Sequence, residues 1–215
     1  MKLYSFDESG NSYKVRLLLS LLKVDHELVN VSLLDDEQHQ APFIMLNPRG
    51  EVPVLVHDAL VLRDSAAILL YVAGLHGKGQ WWPTEVAAQA HIMEWLAFAA
   101  SWVQYGVFTA RALLSFGIPA NGLPADFSGE ALSGAVIRAH RSLDILETQL
   151  REQAWLAGVH PTIADIAVFP YIALAPMGDI SLEPYGAVQA WIARVKALPG
   201  FITMPGLDDP LYRRR

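Results

Sequence analysis

Ser9, Asn11 and Ser12 fall where a turn-prone run, Asp7-Glu8-Ser9-Gly10-Asn11, gives way to a helix-patterned one. Small polar residues there can do either of two things. They can cap the free N–H groups of the first turn. They can also join the partial positive charge of a helix N-terminus in stabilising an anion, by hydroxyl and amide donation rather than by a full charge. Asp64-Ser65 repeats the arrangement before a second helical run, where exposed N–H groups and the macrodipole favour a carboxylate ligand; taken alone, the pair also reads as an ordinary N-cap. Between them stands Val52-Pro53. A proline opening a strand is tolerated where the ladder needs no N–H, and a cis bond there turns the preceding residue outward.

The elements needed to position these residues are readable from periodicity. Residues 2–6 form a short apolar segment, and Val15, Leu18, Leu19 and Leu22 then recur at the i, i+3, i+4, i+7 spacing of an amphipathic helix. Residues 27–31, 52–56 and 60–63 read as strands, the last two joined in a hairpin through His57-Asp58-Ala59. Asp64 or Ser65 starts a helix to about His76, closed by Gly77 and Gly79. Past Trp81-Trp82-Pro83 the strand signals stop. Helical patterns cover 84–116, 130–153, 162–175 and 185–197, with a loop marked by Pro119, Gly122 and Pro124. Thr162-Ile163-Ala164-Asp165 has the form of a capping box. The expected organisation is therefore an α/β domain over residues 1–80 and an all-α domain over 84–215.

Composition narrows the chemistry. The chain has 215 residues, 53% hydrophobic and only 18% charged, which is ample to bury a core and excludes intrinsic disorder. It holds 16 Lys+Arg against 22 Asp+Glu, a net charge of −6, and lacks the basic run that phosphate-backbone binding requires. With no cysteine, disulfide frameworks, zinc ribbons and a cysteine nucleophile are excluded. No stretch reads as a membrane span or a secretory signal, so a cytoplasmic location is expected. The low charged fraction points to apolar surface covered by a partner subunit.

A thin α/β unit joined to a larger helical one carries a resemblance. Ser9-Gly10-Asn11-Ser12-Tyr13-Lys14-Val15-Arg16, Asn47-Pro48-Arg49-Gly50-Glu51-Val52-Pro53-Val54-Leu55 and Arg63-Asp64-Ser65-Ala66-Ala67-Ile68 resemble the cytosolic glutathione transferase family of the serine type, bacterial-like in pattern. Thr162-Ile163-Ala164-Asp165 and Leu198-Pro199-Gly200-Phe201 extend the likeness over nearly the whole chain. The resemblance implies a thioredoxin-like N-terminal domain, an all-α C-terminal domain supplying an electrophile pocket, glutathione as co-substrate, no metal, and a homodimer. It places the thiol-facing hydroxyl at Ser9, with Asn11 as a second donor and Ser12 as an alternative. It also implies a cis Pro53 that presents the backbone of Val52 to an extended cysteinyl peptide, in the manner of an added strand. Asp64 and Ser65 would take the γ-glutamyl ammonium and carboxylate. For the glycine carboxylate Gln38, His39 and Gln40 all compete, with His39 favoured.

Trp95, Trp102, Tyr105, Phe108 and Arg111 lie on the long helix where the resemblance puts the electrophile. At ~100° per residue they cannot all face one way, and Trp102, Tyr105, Phe108 and Arg111 are the expected pocket residues. Asp165 reads as a structural cap, the tryptophans and methionines mainly as core, and Arg213 to Arg215 as a solvated tail. The conjugation reading has two rivals. One is a glutathione-dependent cis–trans isomerase of the maleylacetoacetate type, a branch with cysteine where this chain has Asn11. The other is a transferase-like binding protein without turnover.

Overall fold

The computed structural model describes residues 1–117 and 129–213. The loop expected at Pro119, Gly122 and Pro124, and Arg214 and Arg215 of the expected tail, lie outside the described residues.

The first elements are β1 (Lys2–Ser5), α1 (Gly10–Leu21), β2 (Glu27–Asn30), α2 (Ala41–Leu46), β3 (Val54–His57), β4 (Leu60–Arg63) and α3 (Ser65–His76). The four strands form one mixed sheet in the order β2-β1-β3-β4. β1 and β2 run parallel, Leu3 opposite Leu28, while β3 is antiparallel to both β1 and β4, with Leu55 opposite Leu3 and Leu62. Strand alternation sends Leu3 and Leu55 to the face covered by α1 and α3. Tyr4 and Val54 point to the other face, where Phe43 of α2 packs with Val31 and Val52.

The helical part opens with a single continuous rod, α4. It runs through Val86–Phe98, a π-helical stretch Ala99–Phe108, Thr109–Arg111 and a second π-helical stretch Ala112–Phe116. Its N-cap is Glu85, not Thr84: the carboxylate accepts from the N–H groups of Ala87 and Ala88. Helices α5 (Gly129–Glu152), α6 (Ile163–Ala173) and α7 (Gly186–Lys196) complete it. Where α4 crosses α5, Gly106 lets the backbones close up; a Cβ there would lie 2.9 Å from the Ala139 nitrogen.

Helix α6 is the centre of the molecule, buried on every side from Ile163 to Ala173. A buried helix must satisfy its own N-terminus, and the capping box does so: Thr162 Oγ1 accepts from the Ala164 N–H, and Asp165 Oδ2 from the Thr162 N–H at 2.9 Å. Asp165 Oδ1 accepts two further bonds, from the Leu156 N–H and the Trp191 indole. The two parts of the chain are stitched through α1, whose Tyr13 hydroxyl donates to the Ile202 carbonyl and whose Ser20 hydroxyl donates to that of Gly200.

No helix among the described residues is long and apolar enough to cross a membrane. All six tryptophans, and Met1, Met177 and Met204 among the five methionines, pack in or against the core; Met45 and Met93 are exposed. Arg213 is not a solvated tail either. It reaches back across the chain to Glu8.

Candidate functional site

A cavity of about 910 Å³ lies between the sheet-bearing part and the helical part. Its near wall is the β1–α1 loop, the segment before β3 and the start of α3; its far wall is α4 with Ala167 and Tyr171 of α6 and the returning Arg213. Ser9, Asn11, Val52, Asp64, Ser65, Tyr105, Phe108 and Arg111, separated by up to a hundred positions in sequence, all line it. Ser12, His39, Pro53 and Trp102 do not.

Each near-wall residue is held by its own local chemistry. Ser9 is the N-cap of α1 in extended backbone, and its hydroxyl oxygen accepts from the Ser12 N–H at 3.2 Å. A hydroxyl that accepts in this way keeps its own proton to donate, so capping and facing the cavity coexist in one side chain. Ser12 is fully buried and accepts from the Phe6 N–H, which fixes the loop rather than the cavity. Arg16 pins the same loop from behind, pairing with the Asp7 carboxylate and donating to the Asp7 carbonyl at 2.8 Å.

Asn47 organises the segment ahead of β3. Its amide donates to the Glu51 carbonyl at 2.7 Å and its oxygen accepts from the Arg49 N–H. The Val52-Pro53 peptide bond is cis, and β3 itself starts only at Val54, so Val52 stands beside the cavity ahead of the ladder. Gly50 takes a positive φ of 62°, and a Cβ on it would collide with the His39 ring. That ring packs under the Gly50 turn and pairs with Asp36 at 2.5 Å. Gln38, the weaker sequence choice, is the one on the cavity; its Oε1 is buried without a partner, while its Nε2 donates to Asp36.

Asp64 joins β4 to α3 in the positive-φ region, φ 81°, which costs a non-glycine residue ~1–3 kcal/mol and persists only where the surroundings impose it. Its Oδ1 caps α3 by accepting from the Ala66 N–H at 2.8 Å. The free end of α3 and the Ser65 hydroxyl thereby open onto the cavity as an anion-favouring corner.

On the far wall the π-helical winding sets which side chains arrive. Ala100, Gln104, Phe108, Ala112 and Phe116 all line the cavity, four residues apart. An i→i+5 turn advances fewer degrees per residue than an α-turn, so a register drawn at ~100° per residue misplaces its neighbours. Trp102 is not among them: it lies under the Arg138 guanidinium of α5, 5.2 Å from ring centroid to Cζ. Arg111 is buried, donating to the Glu8 carbonyl and to Met177 Sδ, and burial holds its pKa below the ordinary arginine value.

Four residues given no site role from the sequence also line the cavity: Glu8, Lys14, Tyr171 and Arg213. Glu8 Oε1 accepts from the Tyr212 hydroxyl and from Arg213. Tyr171 crosses from α6 to sit against Gly10, where an added Cβ would come within 2.5 Å of its ring. Burial pushes the Tyr171 phenol up to about 12, so it stays protonated near neutral pH. Lys14 is fully buried on the cavity wall and donates to Asn11 Oδ1 at 2.8 Å; burial brings its ammonium down to about 8, with the Asp64 carboxylate acting in the opposite sense. Its spacing of three from Asn11 on one helix was the only clue available. Among the described residues no cluster of three or more His, Asp or Glu side chains is arranged to hold a metal ion.

Residues 1–74 match the family model for the glutathione S-transferase N-terminal domain, and residues 129–194 that for the C-terminal domain. The chain is 30% identical to a probable maleylacetoacetate isomerase of Caenorhabditis elegans over 97% of its own length and 94% of that protein. It is 28% identical to glutathione S-transferase D7 of Anopheles gambiae, covering 90% and 85%. Among solved structures, a glutathione S-transferase from Xanthobacter autotrophicus Py2 superposes with a TM-score of 0.85 at 36% identity, covering 97% of this chain and 98% of that one.

Proposed function

The chain is an enzyme of the glutathione S-transferase family, and from that premise we propose that it conjugates the glutathione thiolate to small apolar electrophiles. The carrying observation is the convergence of Ser9, Val52 and Asp64-Ser65 on one cavity. In this reading the γ-glutamyl carboxylate takes the open end of α3 and the Ser65 hydroxyl, and the ammonium faces Asp64. The cysteinyl backbone pairs with Val52 beside the cis Pro53, and Gln38 serves the glycine end in place of His39. Ser9 donates its hydroxyl proton to the sulfur, with Asn11 beside it.

Free thiols titrate near 8.5, so the catalytic gain lies in raising the thiolate fraction and holding it against the electrophile. The thiol proton leaves to solvent, the sulfur forms the new bond, and the electrophile's leaving group or added proton completes the exchange. The electrophile sits against Phe108 and Tyr105, a largely apolar wall. No covalent enzyme intermediate is required.

The reading is tested with Ser9→Ala. Turnover on an aryl halide should fall about 10²-fold, the lower range for removing one positioned donor, while glutathione affinity stays within about threefold. Full turnover with unchanged thiolate absorbance would remove Ser9 from the role.

A second reading, glutathione-dependent cis–trans isomerisation, is favoured by one specific feature. Arg111 brings a buried guanidinium to the electrophile end of the cavity, suited to a carboxylate-bearing substrate. The relative named as a probable maleylacetoacetate isomerase agrees with it. Asn11 stands where that branch carries cysteine. Assaying aryl halides and maleylacetoacetate side by side separates the two. A symmetric homodimer and a cytoplasmic setting belong to the same proposal.

A further inference from the structure

An ammonium is a donor only. The Asn11 atom 2.8 Å from Lys14 Nζ is therefore the amide oxygen, and the two hydrogens of Nδ2 are what the Asn11 side chain has left to offer the cavity it lines. The orientation of a carboxamide is ordinarily ambiguous; here a buried cation decides it. The cation is itself fixed. Lys14 lies 5.0 Å from the centroid of the Tyr171 ring, a cation–π distance. Gly10 permits the approach of that ring to the start of α1, since any Cβ there would strike it. Lys14 is thus held between the Asn11 carboxamide and the Tyr171 ring at the N-terminal end of α1.

We propose that Lys14 is the positioning residue of the thiol site: its buried ammonium turns the Asn11 carboxamide so that Nδ2 donates toward the glutathione sulfur, and adds a fixed positive charge beside the thiolate. This rests on the reading that Ser9 and Asn11 receive the sulfur. A full charge in a water-poor wall acts on a neighbouring anion more strongly than the same charge in solvent. It also explains why a lysine, costly to bury, occupies a wall that an uncharged side chain could fill.

The test uses two probes, glutathione and S-methylglutathione, which lacks an ionisable thiol. Wild-type protein, Lys14→Met and Lys14→Arg are compared by calorimetric binding of S-methylglutathione and by pH titration of the thiolate absorbance of bound glutathione. Lys14→Met should bind S-methylglutathione within about threefold of wild type. Its thiol midpoint should rise by about one unit, a tenfold loss of thiolate and of kcat below that midpoint. Lys14→Arg, a donor-only cation like lysine, should recover most of the shift. If Lys14→Met fails to fold, Lys14→Gln carries the same test, because it can still donate to Asn11 Oδ1 but has no charge; its midpoint should also rise. A folded Lys14→Met or Lys14→Gln that titrates the thiol at the wild-type midpoint overturns the role of Lys14. Absence of binding of both probes to wild-type protein instead overturns the glutathione reading beneath it.

Discussion

Gln38 and His39 are adjacent in a loop, yet their side chains serve different masters. His39 lies under the Gly50 turn paired with Asp36, whereas Gln38 reaches the cavity wall. Truncating Gln38 to alanine should raise the KM for glutathione about fivefold, the worth of one ordinary hydrogen bond of ~1 kcal/mol. His39→Ala should leave that KM within about twofold. Steady-state kinetics at varied glutathione settles the pair, and equal effects would return His39 to contention. The same kind of local competition explains Ser9 and Ser12, which share a residue type and a helix start. Only backbone geometry tells them apart: one caps from outside, and the other is drawn inward by the Phe6 N–H.

Helices and strands were legible because their signals are short-range. The stripe through Val15, Leu18, Leu19 and Leu22, the hairpin at Asp58, and the Thr162–Asp165 box each lie within a few residues, and each is found at its place. Long-range partners were not legible. Nothing near Asp165 announces that Leu156 and Trp191 also donate to it, nor does anything near Gly10 announce Tyr171. The π-helical winding of α4 was also hidden, because apolar spacing over a few turns does not distinguish it from an α-helix, and so was the long-range partner of Trp102, Arg138. The Asp165 network carries the element-scale prediction. Asp165→Ala strips the acceptors from three buried donors, at ~1–3 kcal/mol for each one left unpaired. Urea unfolding should show a loss of at least ~3 kcal/mol. Asp165→Asn, which keeps one acceptor oxygen, should lose less.

At the scale of the whole molecule, the described surface is not uniformly polar. Leu70 and Leu75 of α3, with Val86 and Met93 of α4, stand exposed on the two helices that flank the boundary between the two parts of the chain. A two-fold pairing through α3 and α4 would cover them, and it fits the low charged fraction of the sequence. Light scattering at micromolar concentration should return about twice the 23.7 kDa chain mass. Met93→Asp should shift the population toward monomer. A monomeric mass for the unmodified protein would rule the pairing out. The absence of cysteine bears on function at this scale as well: the reacting thiol of the proposed chemistry can come only from the ligand.

Glu8 sits one residue before Ser9, and its Oε1 accepts from Tyr212 and Arg213, about two hundred positions further along, while Oε2 is buried without a partner. In a chain that emerges from the ribosome N-terminus first, the loop holding Ser9 is exposed early and finished late. The sheet can form from its first sixty-odd residues. The far wall comes chiefly from α4, but the contact that braces Glu8 must wait for Tyr212 and Arg213 to be synthesised and docked, so the order of synthesis completes the cavity last.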